Sequence, residues 1–542
     1  MTKPGKELLF LALGGSGEIG MNLNLYGCDG KWLIVDMGVT FGNADYPGID
    51  LIMPDTAFIE ERKKDLVGIL LTHGHEDHIG AVAYLAADLG VPLYANAFTA
   101  GLVSRKLAEE QLEKKVELKI VALTAQFNLG PFAIELLPLA HSIPDMCAAV
   151  ITTPYGRVFH TGDWKLDDDP TLGYPHAEAA VRPYGDRGIL ALVCDSTNVF
   201  NPEPSGSEGS VREGLMQVIG EAKGRVVVTT FASNAGRLHT LGEVAQACGR
   251  QLCVAGRSFD RIIEVAQATG HLKKLPKVID WDTAMSLPRH KVMIVATGGQ
   301  GEPRAALARI AEGNHPIKLE RGDRVVYSSK QIPGNEIAIG RIMNQLAERG
   351  IETVTEKQAH IHVSGHPGKP ELKAMYGWVR PQLLLPVHGE MRHMLEQARW
   401  GRECGIAETL VQKNGQLVRL APGSATIIDE VQSGRLILDG DMIVPADGGG
   451  ISERRRISQT GYVVVAVHDG VADVVQRGLP VDPDDADSFV ADAIGKAETA
   501  AALRGISPEK RREAIRLAVR RVATEWTGKK PLVDVLLFDR GN

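Results

Sequence analysis

The feature that most constrains this chain is the run Thr72-His-Gly-His-Glu-Asp-His78, which lies between an apolar strand and a helix. The strand is predicted over residues 67–71, so the polar run should project from the carboxyl end of a sheet, where α/β proteins form their ligand sites. Imidazole and carboxylate groups suit zinc or manganese, and the spacing lets the first two histidines face one ion while the aspartate and third histidine face a neighbour. The alternative is a polar surface loop, but the chain has 16 histidines in all, and chance would rarely place three of them within six residues. The candidate ligands are His73, His75, Asp77 and His78.

Further candidate ligands stand where other predicted strands meet a loop. His141, Asp163 and His388 each follow an apolar run with the composition of a strand. Each of them alone is equally well explained as a polar residue with an ordinary hydrogen-bond partner. Taken with the first cluster, they are enough to complete two metal sites.

A second motif near the N-terminus imitates a nucleotide-binding loop. Gly15-Ser-Gly-Glu-Ile-Gly20 follows a strand and matches the dinucleotide fingerprint, and Asp36 ends a later strand about where a ribose-binding acid would stand. The fingerprint requires a helix to begin at the third glycine and to hold the pyrophosphate at its N-terminus. Here apolar and polar residues alternate over 21–25, and the turn at 27–30 leads into another strand. The pattern therefore predicts a β-hairpin and argues against an NAD-binding unit.

The length of the chain and its pattern of predicted strands and helices indicate several domains. At 542 residues with 44% hydrophobic content, the chain exceeds what one hydrophobic core usually supports. Residues 8–197 are rich in strands, whereas from about 210 to 358 apolar strands alternate with helices, as in a parallel doubly wound unit. Residues 360–446 return to the strand-turn-helix pattern of the first segment. The glycines at 448–450 then indicate a linker before a small terminal domain.

Composition says more about the cellular compartment and the possible binding partners than about the reaction. Six cysteines without a CxxC pair predict a reducing cytoplasm rather than a disulfide framework. No run of about 18 apolar residues could span a membrane, so no membrane attachment is expected. The net charge of -7 counts mildly against a nucleic-acid binder, because phosphate contacts usually leave a basic footprint. Any nucleic-acid site is therefore expected to be locally basic or lined by metal.

These motifs resemble a known family. His73-Gly-His-Glu-Asp-His78 with the three distant ligands resembles the metallo-β-lactamase fold. Three further motifs resemble its β-CASP nuclease branch: Asp195-Ser-Thr-Asn198, His362-Val-Ser-Gly-His366 and Pro386-Val-His-Gly-Glu390. The similarity runs over about residues 8 to 440, extends into the tail, and is greatest to the bacterial ribonuclease J family.

The resemblance implies an α/β fold class: a metallo-β-lactamase αββα sandwich with an inserted doubly wound β-CASP domain and a small α+β C-terminal domain. The expected boundaries are residues 1–198 and 360–446 for the two parts of the metallo-β-lactamase domain, 199–359 for the β-CASP domain, 447–458 for the linker and 459–542 for the C-terminal domain. The change from a strand-rich pattern over 8–197 to alternating strands and helices from about 210 to 358 matches this insertion.

The family also implies roles for the candidate residues. One divalent ion would be held by His73, His75 and His141, the other by Asp77, His78 and His388, with Asp163 bridging them and Asp36 bracing the metal-binding loop from behind. Two such ions, with Zn²⁺ expected and Mn²⁺ or Mg²⁺ as alternatives, can hold a bridging hydroxide that attacks a phosphodiester. His366 would protonate the leaving group, with Asp195 holding it in the protonating state and Asp77 completing the catalytic set. The alternatives are a structural or helix-capping histidine at 366 and a strand-terminal Asx turn at 195.

A further loop is expected to bind one end of the substrate. Phe231-Ala-Ser-Asn-Ala-Gly-Arg237 joins a strand to a helix, so backbone amides at the helix N-terminus could surround a phosphate. In the family, the RNA 5′-monophosphate would be held by Ser233, Asn234, His362, Ser364 and Gly365. Ordinary helix capping is the alternative and needs no ligand.

The implied activity is a metal-dependent ribonuclease: a 5′-to-3′ exonuclease that favours 5′-monophosphate RNA, with additional endonuclease activity, in RNA maturation and decay such as rRNA processing and mRNA decay. A small-ester hydrolase would share the ligands but would need neither the inserted domain nor the pair Asp195 and His366. A β-CASP DNA nuclease typically lacks the histidine matched by His388, and an inactive scaffold of an RNA-degrading assembly would not need all seven ligands. The family also leads us to expect a homodimer or homotetramer and RNA-degradation partners.

Overall fold

The computed structural model describes residues 5–538 apart from residues 44, 176 and 333. The chain divides into two compact units. The first contains the residues up to Thr40 together with Met53–Gly434, and the second contains Phe41–Ile52 together with the chain from Arg435 onward.

The strands are numbered in chain order. They are β1 (Leu8–Gly14), β2 (Ser16–Gly17), β3 (Leu23–Cys28), β4 (Lys31–Val35), β5 (Thr40–Phe41), β6 (Leu51–Pro54), β7 (Leu66–Leu70), β8 (Leu93–Ala95), β9 (Leu118–Ile120), β10 (Gln126–Leu129), β11 (Phe132–Pro138), β12 (Cys147–Thr153), β13 (Gly156–His160), β14 (Ala191–Asp195), β15 (Val226–Thr229), β16 (Gln251–Ala255), β17 (Val278–Ile279), β18 (Val292–Ala296), β19 (Arg324–Tyr327), β20 (Glu352–Val354), β21 (Leu383–Val387), β22 (Gly389–Glu390), β23 (Glu408–Thr409), β24 (Gln416–Ala421), β25 (Thr426–Glu430), β26 (Arg435–Asp439), β27 (Met442–Pro445), β28 (Tyr462–His468), β29 (Val471–Arg477) and β30 (Leu532–Phe538).

The helices follow in the same order. They are α1 (Ala57–Glu60), α2 (Glu76–Ile79), α3 (Val82–Leu89), α4 (Ala97–Glu109), α5 (Ala177–Asp186), α6 (Val211–Glu221), α7 (Ala235–Ala247), α8 (Arg257–Ala268), α9 (Trp281–Ser286), α10 (Ala306–Ala311), α11 (Glu336–Glu348), α12 (Lys369–Val379), α13 (Met391–Glu403), α14 (Gly449–Thr460), α15 (Ala486–Ala501) and α16 (Pro508–Thr527). Short 3₁₀ turns lie at Arg289–Lys291 and Pro483–Asp485.

The first unit is built on a pair of sheets that share one core. One sheet has the strand order β25-β24-β1-β3-β4-β7-β8-β9 and the other β10-β11-β12-β13-β14-β21-β23. Inward-facing side chains of both sheets, among them Phe10, Tyr26, Phe132 and Leu385, form a single buried cluster. The outer face of the second sheet packs against α5 and α12, and α4 contacts β8 and β9. This layering confirms the predicted αββα sandwich.

A parallel sheet is inserted between β14 and β21. Its strand order is β17-β16-β18-β15-β19-β20, and every pairing within it is parallel. Its central strands are continuous apolar runs because helices cover both faces, which leaves no solvent side for alternating polar residues. Val226–Thr229 and Val292–Ala296 are fully buried along their length. The doubly wound unit predicted from the alternation of apolar strands and helices is confirmed.

The glycine motif near the N-terminus leads into a hairpin, as predicted. After Gly20 the chain enters β3, which pairs antiparallel with β4 from Cys28 opposite Lys31. The two intervening residues, Asp29 and Gly30, have φ of 50° and 80°, as a two-residue turn of the type I′ class requires. A helix that could hold a pyrophosphate is replaced by a strand at this point, so the dinucleotide alternative is excluded.

The segment 447–458, which was predicted as a linker, has regular secondary structure. Most of it is helical, in α14, because Ile451 is buried and Arg454 is paired with Asp439 at 2.6 Å. The second unit also begins earlier than the expected boundary, at Arg435. The remaining domain boundaries stay a prediction.

The C-terminal part of the second unit is a small α+β assembly. Its sheet has the order β29-β28-β30, and α15 and α16 bury one face of it. The apolar stripe predicted on the last helix is part of that core through Ile515, Val519 and Val522. In the described part of the chain, every helix is too short or too polar to cross a lipid bilayer.

Candidate metal centre

The candidate ligands gather where strands from both large sheets end. Strands β13, β14 and β21 are parallel neighbours, so their carboxyl ends meet at one edge of the second sheet. Asp163, Asp195 and His388 stand at or just beyond those three ends. The loop that carries His73 and His75 follows β7 of the first sheet and ends in the short helix α2.

Close backbone packing holds that loop in place. Gly38 lies so near the loop that a Cβ atom there would be 1.7 Å from the carbonyl oxygen of Asp77, so glycine is required at this position. Neighbouring backbone hydrogen bonds join Met37 N to His78 O at 2.7 Å and Asn22 N to Asp77 O at 2.9 Å. The ligand loop is thereby fixed before any ligand binds.

One group of ligand atoms is formed by His73, His75, His141 and Asp163. The His75 Nδ1 atom lies 3.1 Å from both His73 Nε2 and His141 Nε2. Asp163 Oδ2 is 3.8 Å from His73 Nε2 and 3.9 Å from His141 Nε2. Because three ring nitrogens and a carboxylate oxygen converge, the arrangement fits a divalent cation better than a set of mutual hydrogen bonds.

A second group is formed by Asp77, His78, Asp163 and His388. Asp163 Oδ2 is 3.2 Å from His78 Nε2, and Asp163 Oδ1 is 2.7 Å from His388 Nδ1. Asp77 Oδ2 is 3.1 Å from His388 Nε2, although within the described structure that nitrogen has no partner in hydrogen-bond geometry. The Asp163 carboxylate therefore belongs to both groups, at the position of a bridging ligand.

Outer contacts decide which ring nitrogens can act as ligands. His141 Nδ1 lies 2.7 Å from the carbonyl oxygen of Gly365, which can only accept, so Nδ1 carries the proton and Nε2 offers its lone pair. His78 Nδ1 lies 2.7 Å from Asp36 Oδ2 in the same way. Asp36, fully buried, also accepts from the backbone N and hydroxyl of Thr72 at 2.8 and 2.9 Å. This is the geometry expected of a brace behind the loop.

The two groups differ in their protonation. Burial and the neighbouring histidines lower the pKa of His73, and burial lowers the pKa of His75 to about 4, so both rings are neutral at neutral pH. Burial would also lower the pKa of His388, but Asp163 and Asp77 outweigh it and raise that pKa to about 10. The second group is therefore a place where the protein stabilises positive charge, whether a proton or a metal cation.

His366 lies beside both groups without being part of the first. Its ring is 5.2 Å from the ring of His141 and 5.7 Å from that of His388. Its Nδ1 is 2.7 Å from Asp195 Oδ2, while Asp195 Oδ1 accepts from the backbone N of Thr197 at 2.8 Å. Burial would lower the pKa of His366, but the Asp195 carboxylate and its hydrogen bond raise it above the ordinary value. The side chain is 24% exposed, so its other nitrogen can reach a ligand in the cleft.

The expected phosphate pocket is partly occupied by its own hydrogen bonds. Asn234 caps α7 by accepting from the backbone N of Arg237 at 2.8 Å, and Ser233 lies in the turn before it. Ser364 Oγ accepts from the backbone N of His366 at 3.1 Å. Of the five residues expected in this pocket, His362 offers a free atom: in the described structure its Nδ1 is buried without a hydrogen-bond partner.

Arg237 connects the two halves of this pocket, which sequence reasoning did not foresee. Its guanidinium donates to the carbonyl oxygen of Ile361 at 3.1 Å and to that of Ser328 at 3.0 Å, and it is paired with Glu208. Burial, followed by the charge of Arg237, lowers the pKa of His362 to about 3. Arg237 ends the loop that the sequence singled out, but nothing in the sequence reveals its partners.

The chain matches family models over three segments. A model described as the β-CASP domain of ribonuclease J matches residues 223–346. A β-lactamase superfamily domain matches residues 46–186, and a Zn-dependent metallo-hydrolase RNA specificity domain matches residues 353–411.

Several curated proteins resemble the chain over most of its length. Ribonuclease J of Sinorhizobium meliloti is 44% identical over 98% of this chain and 97% of its own length. Ribonuclease J of Mycolicibacterium smegmatis is 38% identical over 96% and 94%, and that of Thermus thermophilus is 35% identical over 88% and 85%. A crystal structure of an Enterococcus faecalis protein of unknown function matches with a TM-score of 0.54 at 17% identity, over 76% of this chain and all of that one, which shows the fold alone.

Proposed function

The chain belongs to the ribonuclease J family, and from this we propose that it degrades RNA from a monophosphorylated 5′ end and also cuts RNA internally. The observation that carries the proposal is the position of His366. Its ring is 5.2 Å from the ring of His141 and 5.7 Å from that of His388, and the residue before it, Gly365, belongs to the expected phosphate pocket. These distances support a proton donor that serves both the ligand groups and the expected pocket.

The residues present fit a pair of divalent ions. His73, His75 and His141 would hold one, Asp77, His78 and His388 the other, and Asp163 would be shared. We expect Zn²⁺ because imidazole nitrogens dominate the donor set, with Mn²⁺ or Mg²⁺ as alternatives. When bound, such ions lower the pKa of water and neutralise charge on phosphoryl oxygens.

The chain's own residues would then orient the substrate and move the proton. Asp195 holds Nδ1 of His366, so the other ring nitrogen faces the cleft and can give its proton to the leaving oxygen as the P–O bond breaks. The Asp195 carboxylate raises the pKa of His366 and so favours its protonated form. Asp77, whose Oδ2 lies 3.1 Å from His388 Nε2, would position the second ligand group.

Selection of a 5′-monophosphate would use the N-terminus of α7 and the motif around His362. Helix N-termini favour anions, and the His362 ring lies close enough to Arg237, in the first turn of α7, to feel its charge. Arg237 and Lys330 add positive charge near this ring.

Two other functions are weaker on specific observations. A β-CASP DNA nuclease is disfavoured because His388 is present and contacts Asp163 at 2.7 Å. An inactive scaffold would not need the seven ligand side chains to converge as they do. We further propose action in RNA maturation and decay in the cytoplasm, in a homodimer or homotetramer and with other RNA-degrading proteins.

The test uses purified protein with matched RNAs that carry a 5′-monophosphate or a 5′-triphosphate, each with Zn²⁺, Mn²⁺ or Mg²⁺. We expect stepwise shortening of the monophosphate RNA and much slower shortening of the triphosphate RNA. A DNA strand of the same sequence serves as the control substrate. Equal rates on both RNA ends would refute the phosphate pocket, and undiminished turnover by His78→Ala would refute the metal proposal.

A further inference from the structure

We propose that Phe200, with Arg392 and His393, forms a stacking site for one RNA base on the His388 side of the centre. The inference rests on the proposed function, because it concerns how the same cleft takes its substrate. The site uses an exposed aromatic ring, a guanidinium and a histidine ring, which is the chemistry that binds unpaired nucleobases.

Phe200 is exposed although its immediate neighbour is not. The side chain is 49% exposed, whereas Val199 is fully buried. A single exposed apolar residue is common and would mean little alone. Here, however, two cleft-side residues of α13 are arranged around the ring.

Arg392 and His393 hold the ring from two directions. The Arg392 Cζ atom lies over the Phe200 ring, 5.9 Å from its centroid, and Nε of Arg392 is fixed by Glu390 at 2.6 Å. The His393 ring is 5.2 Å from the Phe200 ring at an interplanar angle of 63°. This arrangement fixes the orientation of Phe200 while leaving half of it open to a ligand.

His393 also supplies a polar atom without a partner. The residue is only 7% exposed, and in the described structure its Nδ1 has no hydrogen bond, since Glu390 Oε2 is 3.7 Å away. Buried polar atoms are nearly always bonded, and an exception calls for an explanation. A base stacked on Phe200 would lie next to this ring, whose Nδ1 atom is itself enclosed by protein.

The trio is connected to the candidate metal centre through neighbouring residues. Asn198, two residues before Phe200, donates through its side chain to the carbonyl oxygen of His366 at 3.2 Å. A Cβ atom on Gly389, the residue after His388, would be 3.0 Å from the Cβ of His393. The stacking site is therefore joined to both the proton donor and the second ligand group.

The position also assigns a direction to the RNA. The expected 5′-phosphate pocket includes Gly365, whose carbonyl oxygen lies 2.7 Å from His141 Nδ1, whereas His393 packs against Gly389, the residue after His388. The His366 ring is 5.2 Å from the His141 ring and 5.7 Å from the His388 ring. The scissile phosphate would lie near His366. The base at Phe200 is then the one downstream of the cut, and stacking there would hold the remaining RNA for the next step.

The binding test uses His366→Ala protein, which lacks the proposed proton donor, and short 5′-monophosphate RNAs with 2-aminopurine at successive positions. We expect strong fluorescence quenching at one position or two adjacent positions near the 5′ end. The quenching should be lost in Phe200→Ala and retained in Phe200→Trp, which keeps an aromatic face. Quenching that is unchanged in Phe200→Ala would overturn the proposal.

The kinetic test uses the otherwise unaltered protein with RNA. Loss of one base stack corresponds to about 5- to 140-fold in affinity, so Phe200→Ala should raise KM by that factor while kcat changes little. Removing the base at the quenched position should weaken binding to the unaltered protein but not to Phe200→Ala. Equal loss of affinity in both proteins would contradict a stacking role.

Leu395→Ala provides a matched control, because Leu395 is 54% exposed on the same helix. Its KM should stay unchanged, which separates stacking from a general effect on α13. Failure of the proposed function would look different: the unaltered protein would not hydrolyse RNA, while quenching by Phe200 could still be measured.

Discussion

Arg237 and Glu208 form a buried ion pair with two hydrogen bonds, Nε to Oε1 at 2.5 Å and Nη2 to Oε2 at 3.0 Å. Arg237 is fully buried, and its remaining nitrogen, Nη1, donates to Ser328 and to the carbonyl oxygen of Ile361. The pair thus joins the inserted parallel unit to the segment that returns to the metal centre. Because the pair is buried, we expect its loss to lower the stability of the protein and to disturb the expected phosphate pocket.

We predict that Arg237→Leu lowers the free energy of unfolding by about 3–5 kcal/mol, because Glu208 would remain as an uncompensated buried charge. Denaturant unfolding followed by fluorescence measures the change. The control is Arg182→Leu, which breaks an exposed pair with Glu178 and should cost at most about 1 kcal/mol. Equal effects of the two substitutions would show that the buried pair is not special.

Acid should destabilise the fold partly through His362. Its pKa of about 3 in the folded protein lies below the unfolded value of about 6.5, so below that pH the unfolded chain binds more protons. The associated stability is complete above about pH 6.5 and is lost as the pH falls towards 3. Urea midpoints at pH 7 and 4.5 should therefore differ less in His362→Gln than in the unaltered protein. His468→Gln, at a largely exposed ring, should behave like the unaltered protein.

His366→Ala should lower kcat by about 10²- to 10⁴-fold, as expected for loss of a general acid. KM for RNA should change much less, since the ligand groups are left intact. A phosphodiester with a p-nitrophenyl leaving group needs little protonation, so its hydrolysis should be nearly unaffected. An equal loss on both substrates would assign His366 a role other than proton donation.

The ligand groups predict the metal content of variants. His141→Ala and His388→Ala should each lose one of the two proposed ions, whereas Asp163→Ala should lose both, because its carboxylate lies in both groups. Elemental analysis of purified protein measures this. Glu76→Gln is the control: Glu76 lies between the ligands in sequence but pairs with Lys106 instead. Retention of both ions by Asp163→Ala would refute a shared ligand.

The candidate ligands could be named from the sequence because metal ligands have few chemical types and recur at the ends of strands, and the structure brings these side chains together. His73, His75, Asp77 and His78 are close in the chain, so their chemistry is visible without a fold. The helical structure of the glycine-rich linker was harder to predict, because glycine is common in irregular backbone. In the structure, burial of Ile451 and the Arg454 pair with Asp439 outweigh that preference and produce a helix.

The sequence by itself determined the classes of element, the hairpin after Gly20, the parallel insertion and the candidate ligands. It could do so because periodicity, turn residues and ligand chemistry are properties of short segments. Only the tertiary structure decided which distant groups meet: Asp163 between two histidine groups, Arg237 with Glu208 from 29 residues away, and Phe200 beneath Arg392. Those contacts depend on strand order and burial, which bring together residues that are far apart in the chain. The separation of two residues in the sequence does not predict their distance in space.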